Sequence, residues 1–243
     1  MKVSLFVTCL VDQLFPEVGL SAVRVLERAG CQVHFDRRQS CCGQPAFNSG
    51  YPRQARRVAE HFLDVFGQAP CIVTPSGSCA AMIKHHLPGL FAPHSDERRR
   101  AQSIASKTWE FSQFLVDKLG VSHLDTEFPH PVTYHDSCHL LRELGVSEAP
   151  RRLIRSLKGI DFREMKDSQR CCGFGGTFSV KFQDVSAAVG LDKIEAIRET
   201  GAAYVVACDI SCLMHLQGLL RRRKVNVRIL HLAQLLDDRR RTP

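Results

Sequence analysis

Cys41-Cys42-Gly43 and Cys171-Cys172-Gly173 are the two stretches from which the architecture of this chain is read. Adjacent cysteines rarely aim both side chains at one target. A glycine behind them lets the backbone fold back at positive φ or approach a bulky group closely. One such triplet is chance; two in 243 residues are a repeat. The repeat persists outward from both. Cys9 stands 32 positions before Cys41 and Cys138 stands 33 before Cys171, while Cys79 follows Cys42 by 37 and Cys212 follows Cys172 by 40. The flanks match too: Val3-Ser-Leu-Phe-Val-Thr-Cys9 with Val132-Thr-Tyr-His-Asp-Ser-Cys138, and Ile72-Val-Thr-Pro-Ser-Gly-Ser-Cys79 with Val205-Val-Ala-Cys-Asp-Ile-Ser-Cys212. The tails agree as Trp109-Glu-Phe-Ser-Gln-Phe-Leu and Leu230-His-Leu-Ala-Gln-Leu-Leu. The chain is therefore an internal duplication, with repeats over residues 1–121 and 122–243.

Each repeat alternates strand and helix. Apolar, β-branched runs predict strands over 2–9, 31–36 and 71–74, with helices over 18–29, closed by Gly30, and over 54–66. Residues 94–102 are polar and read as a surface crossing, and 108–119 reads as a helix. The second repeat follows with strands over 132–134, 160–165, 204–207 and 225–230, helices over 150–157 and 185–200, and a final helix. This is an α/β pattern: two pseudo-symmetric halves, each a mainly parallel sheet flanked by helices. In such sheets, sites form beyond the carboxyl ends of the strands. Cys9, the Cys41-Cys42 pair and Cys79 each follow a strand and so should meet in one pocket, and the second set in another. Sulfurs arranged around a cluster should stand roughly 6–7 Å apart, or collapse into disulfides near ~2 Å.

Composition narrows the function class. At 44% hydrophobic the chain can bury a large core. No run approaches the ~18 apolar residues of a transmembrane segment, and Val3 to Val11 lacks the features of a signal peptide. The expectation is a cytoplasmic protein. In a reducing compartment, clustered thiols mean metal or redox chemistry rather than structural disulfides. The formal charge of +8 gathers in Arg98-Arg99-Arg100, Arg151-Arg152, Arg221-Arg222-Arg223-Lys224 and Arg239-Arg240-Arg241. Such runs are solvated helix faces, or a surface for acidic partners or for peripheral membrane association. No nucleic-acid partner is expected: 7% of residues are aromatic and no nucleic-acid module accompanies the charge.

With the unmatched Cys31, Cys71 and Cys208 set aside, four cysteines remain per half: Cys9, Cys41, Cys42, Cys79 and Cys138, Cys171, Cys172, Cys212. Four thiolates suit an iron–sulfur cluster or a structural zinc, and a redox-active disulfide stays open. Zinc sites favour close pairs such as Cys-x-x-Cys. Here the thiols come from three strand ends, two of them adjacent, and a cube several ångströms across can take adjacent thiolates on different irons. The expected cofactors are therefore two [4Fe–4S] clusters. Cys31 and Cys71 should lie outside both pockets, and Cys208 beside the second without completing it. His135 and His139 bracket Cys138 as tuning or proton-relay groups; the alternative is local capping, with Asp136 and Ser137 suited to a helix start and His139 satisfying backbone groups. Gly173-Phe-Gly-Gly-Thr-Phe178 does not fit a dinucleotide loop, and close backbone approach to a cluster explains its glycines better.

At these residues the chain resembles the cysteine-rich CCG-domain family, a tandem repeat of Cys, Cys-Cys-Gly and Cys-x-x-Cys. Its members include the B subunit of heterodisulfide reductase and the iron–sulfur subunits of glycolate oxidase and anaerobic glycerol-3-phosphate dehydrogenase. The resemblance spans residues 3–236 and is strongest to members made of the two repeats alone, which serve lactate utilization. One departure matters: the first cysteine of Cys-x-x-Cys is Ser76 in one half and Asp209 in the other. Four thiolates per half imply ordinary electron-transfer centres rather than the disulfide-cleaving clusters of five-cysteine members. Cys208, next to Asp209, either substitutes for the missing ligand or is a small strand residue. The resemblance implies an iron–sulfur electron-transfer subunit of a multi-subunit system oxidising a small 2-hydroxy acid, L-lactate to pyruvate. Companion subunits, one ferredoxin-like, would supply the hydride chemistry, so the chain would not be catalytic alone. A glycolate or glycerol-3-phosphate system is the alternative, and a zinc- or redox-sensing binding protein the rival from another class.

Overall fold

The computed structural model describes residues 1–237, and the basic run Arg239-Arg240-Arg241 lies outside the described residues. The first half runs β1 (Lys2–Leu5), α1 (Cys9–Leu14), α2 (Pro16–Arg28), β2 (Gln32–His34), α3 (Gln44–Asn48), α4 (Pro52–Phe66), β3 (Ile72–Thr74), α5 (Gly77–Ala81), α6 (Asp96–Ser106), β4 (Thr108–Glu110) and α7 (Phe111–Gln113). The second runs β5 (Pro131–Tyr134), α8 (Glu148–Arg155), β6 (Asp161–Phe162), α9 (Phe178–Lys181), α10 (Gln183–Glu199), β7 (Tyr204–Ala207), α11 (Ile210–Arg222), β8 (Arg228–His231) and α12 (Leu232–Leu236). Both sheets are wholly parallel, ordered β2-β1-β3-β4 and β6-β5-β7-β8. The strand order is the same in each, so the duplication seen in sequence is a duplication of topology.

The apolar residues sort into three layers. A central core joins the halves: Val3, Leu5, Val25, Leu26 and Val73 of the first pack with Val132, Tyr134, Leu153, Val206 and Leu236 of the second. An outer layer of the first half holds Phe6, Phe62, Phe66 and Ile72, and that of the second holds Ile194, Ile197, Val205 and Leu216. Alternation along β3 and β7 explains the division, since Val73 and Val206 face inward while Ile72 and Val205 face outward. Helix α2 shows how the sequence secures one element. Pro16 opens it, Glu17 and Arg28 complement its dipole, and Gly30 leaves it at φ +81°. Its buried side, Val18, Ala22, Val25 and Leu26, has helical spacing.

Two expected elements are corrected. Residues 94–102 are not a surface crossing: α6 occupies most of them, with Ser95 capping Arg98 N and Asp96 and Glu97 in its first turn. Only Ala101 and Ile104 are buried in it, too narrow a stripe to stand out in the sequence. Nor is 108–119 one helix. Thr108–Glu110 is a strand pairing in parallel with Ile72–Thr74, and helix begins at Phe111. Phe111, Phe114 and Leu115 dominate the periodicity there and hide the three-residue strand before them.

Candidate metal centre

Each CCG triplet forms a tight loop. Gly43 and Gly173 adopt φ of +87° and +90°. The turn swings the glycine N–H back onto the first thiol, with Gly43 N 3.4 Å from Cys41 Sγ and Gly173 N 3.3 Å from Cys171 Sγ. The glycine is thus both hinge and hydrogen-bond donor. Cys9 opens α1, and Cys138 leads into a π-helical turn over His139–Glu143. Cys79 and Cys212 lie in the first turns of α5 and α11.

All eight cysteines, Cys9, Cys41, Cys42, Cys79, Cys138, Cys171, Cys172 and Cys212, line one cavity of about 240 Å³. This corrects the expectation of two separate pockets. The carboxyl ends of the two sheets face each other: Gly77 N donates to Cys208 O (3.3 Å) and His231 Nε2 to Pro75 O (3.1 Å). The sites beyond both edges therefore merge. Burial repeats in the two sets, with Cys9, Cys41, Cys138 and Cys171 half-buried and Cys42, Cys79, Cys172 and Cys212 buried. Cys9 Sγ stands 3.8 Å from Cys41 Sγ, and Cys42 Sγ 3.4 Å from Cys79 Sγ. These gaps are closer than the spread expected around a cluster, yet no disulfide forms among the described cysteines.

The thiols polarise one another. Hydrogen bonds from Cys42 and Cys9 pull Cys41 down to about 3, with the Gly43 N–H assisting against burial. The donors respond oppositely: the bond to Cys41, then burial, pushes Cys9 up, and bonds to Cys41 and Cys79 push Cys42 up. The second set matches this, Cys171 being lowered by Cys138 and Cys172, and both of those raised. Cys212 falls to about 6 through Cys172, with His135 assisting against burial. Each half thus favours thiolate at the first cysteine of its CCG triplet.

Cys31, Cys71 and Cys208 lie in the central core and do not line the cavity. Cys208 is fully buried and its sulfur is 3.5 Å from the Tyr134 hydroxyl, so it stands in for no missing ligand at the cavity wall. Ser76 and Asp209 are the N-caps of α5 and α11: Ser76 Oγ accepts from Cys79 N (3.2 Å) and Asp209 Oδ1 from Ser211 N (3.2 Å). They also meet across the halves. Asp209 Oδ2 accepts from Ser76 Oγ (3.1 Å) and Ser78 N (2.9 Å), a buried tie at the floor of the site.

Around Cys138, His139 Nδ1 is 3.5 Å from its sulfur, and His139 Nε2 is 3.5 Å from Glu143 Oε1, which His86 of the other half also contacts through Oε2 at 2.9 Å. Asp136 caps nothing. Arg151 grips it at 2.8 and 2.7 Å; burial pushes its carboxyl up, but the Arg151 bonds together with Ser168 and the Arg151 charge hold it below the usual range. Arg151 also holds Glu164 at 2.8 Å, so this member of a basic run is a buried structural cation, not a solvated face. No local pattern marked it, because its partners are 15 and 13 residues away. Arg221 to Lys224 are exposed, as expected of a solvated run.

The donor set fits iron–sulfur ligation on two counts. It is all thiol, in duplicate, and the adjoining polar groups include buried atoms with no partner in hydrogen-bond geometry among the described residues, His135 Nδ1 and Nε2 and Ser137 Oγ. The family model for the cysteine-rich CCG domain matches residues 3–84 and again 132–217. Lactate utilization protein A 2 of Bacillus mycoides (strain KBAB4) is 46% identical over 239 residues, covering 98% of this chain and 100% of that protein. Lactate utilization protein A 1 of Bacillus cereus (strain AH820) is 45% identical over the same span. Among solved structures, a hypothetical protein from Helicobacter pylori shares the fold with a TM-score of 0.58 at 12% identity, over 97% of this chain and 48% of that one. The doubled match and the two full-length relatives leave one conclusion: this chain belongs to the cysteine-rich CCG-domain family.

Proposed function

We propose that this protein is an iron–sulfur electron-transfer component of a lactate utilization system, made of repeats over residues 1–121 and 122–243. The observation that carries the reading is the pair of matching four-thiol sets around one cavity. The relatives named lactate utilization protein A supply the substrate class. Cys9, Cys41, Cys42 and Cys79 would hold one [4Fe–4S] cluster and Cys138, Cys171, Cys172 and Cys212 the other; when bound, these groups supply one-electron oxidation and reduction. The chain's own contribution is to gather thiols from three strand ends, favour thiolate at Cys41 and Cys171, and present Gly43 and Gly173 N–H groups to sulfur. Hydride removal from a 2-hydroxy acid falls to companion subunits, one of them ferredoxin-like. No described helix is long and apolar enough to cross a membrane, and the exposed Arg221 to Lys224 end of α11 is a candidate partner or membrane-docking face.

Anaerobic reconstitution with iron and sulfide tests this. About eight irons and eight sulfides per chain are expected from two Cys₄ clusters. Cys42→Ala should lose about half of the iron and leave the second set loaded, and Cys172→Ala should do the converse. Zinc bound without visible colour would instead support a scaffold built on His135, Cys172 and Cys212, whose ligand atoms lie within 4.8 Å of one another.

A further inference from the structure

His135 has no counterpart in the first half. Counting back three from Cys138 reaches His135, and three from Cys9 reaches Phe6. Both side chains are buried at the carboxyl end of the central strand of their sheet. Phe6 is satisfied there by edge-on contacts with Phe62 and Phe66, ring centroids 5.0 and 5.6 Å away. His135 is 1% exposed, and neither ring nitrogen reaches hydrogen-bond geometry with a described residue, although the imidazole is near enough to Cys212 to favour its thiolate through an incipient N–H to sulfur contact. Its backbone is pinned by His135 N to Val206 O at 2.8 Å. The ring lies beside the Cys172 and Cys212 sulfurs, all three ligand atoms within 4.8 Å of one another.

A neutral imidazole always carries one N–H. Leaving that donor unpaired in a dry interior forfeits its hydration with nothing in return, so a buried orphan of this kind calls for an acceptor. The acceptors beside it are sulfur. It is not needed as a ligand, because the first half assembles the same four-thiol set with phenylalanine at the matching place.

We propose that His135 is a positioning residue that donates its ring N–H to sulfur at the second site, raising the reduction potential of that centre above the first and giving electron flow through the cavity a direction. This rests on the iron–sulfur reading above. A hydrogen bond to sulfur stabilises the extra negative charge of the reduced state, which is how such bonds raise a cluster's potential. Phe6 offers the first site no such donor.

The full-length chain, reconstituted anaerobically and assayed for iron, is titrated reductively with EPR detection. Wild type should show two one-electron steps. His135→Phe, which copies the first half, should shift the higher step down by about tenfold in its reduction equilibrium, about 59 mV for one electron, and leave the lower step in place. In a Cys42→Ala background only the shifted step should remain. His135→Gln keeps an N–H and should restore much of the separation. Pulsed EPR of wild type labelled with ¹⁵N-histidine should show weak, hydrogen-bond-scale coupling to one centre, a reading that needs no variant to fold. Unchanged steps in His135→Phe, no recovery in His135→Gln, or no ¹⁵N coupling overturns the inference. Loss of half of the iron in His135→Phe, or a directly bonded ¹⁵N coupling, makes the imidazole a ligand and overturns it too. A wild-type chain that takes up no iron overturns the cluster reading itself and this inference with it, and the iron assay separates that failure from the others.

Discussion

Gly43 and Gly173 have nearly the same φ, +87° and +90°, but not the same surroundings. A Cβ on Gly43 would meet its nearest atom, Ala55 O, at 3.5 Å, which is ordinary contact. A Cβ on Gly173 would come within 2.4 Å of Ser186 O and 3.0 Å of Gly190 N, both backbone atoms. Gly43→Ala should therefore cost only the left-handed conformation, about 1–2 kcal/mol. Gly173→Ala adds a backbone clash and should cost at least about 3 kcal/mol, with denaturant unfolding as the measure; equal losses would refute the asymmetry. The need for glycine was legible from the triplets, because nothing else turns so tightly after two cysteines. The asymmetry was not, since Ser186 and Gly190 approach from α10. Ser76 and Asp209 teach a similar lesson. As departures from Cys-x-x-Cys they were visible in the sequence, and their residue types are those of helix N-caps. Their mutual hydrogen bond spans 133 residues and has no local signal.

At the scale of elements, β4 and β8 occupy the same place in their sheets and end in matched caps, Glu110 for α7 and His231 for α12. Glu110 is fully buried; Oε2 accepts from Ser112 N (2.8 Å) and Gln113 N (3.1 Å), while Oε1 has no partner among the described residues. Burial pushes its carboxyl up from 4.5 to about 7, against the lowering by the Ser112 hydroxyl, which also donates to Oε2, and by the two backbone N–H groups. An acid with a raised folded value contributes stability fully present below about pH 4.5 and lost as pH rises through about 7. By linkage the loss is on the order of 3 kcal/mol. Urea unfolding at pH 5 and pH 8 should show wild type losing stability over this window and Glu110→Gln losing much less; parallel profiles would refute the assignment. The short strand before this cap was misread as helix, yet the matched tails of the repeats already paired it with residues 225–230, read as strand. Duplication was a better guide there than periodicity, because three residues are too few to set a period.

For the whole molecule, the shared central core predicts that the two halves unfold as one cooperative unit. Leu26 of α2 is fully buried among side chains of both. Leu26→Ala should cost about 2–5 kcal/mol, and hydrogen exchange should accelerate in β1 and β5 together; acceleration in β1 alone would mean independent domains. Function is expected to be divided in the opposite sense. The purified, cluster-loaded chain should not reduce dye with lactate until companion subunits are added, and robust activity of the flavin-free chain would sink that division. The sequence by itself determined the duplication, the parallel α/β class, the two sets of four cysteines and the family, because each is carried by residue type and spacing along the chain. Only the tertiary structure decided that the two sets face one cavity, that Arg151 is buried against Asp136, and that His135 is a polar orphan where the first half has Phe6 in an aromatic cluster. Those outcomes depend on how two carboxyl edges and their helices pack against each other, and contacts between residues far apart in the chain leave no period, cap or turn for a sequence to display.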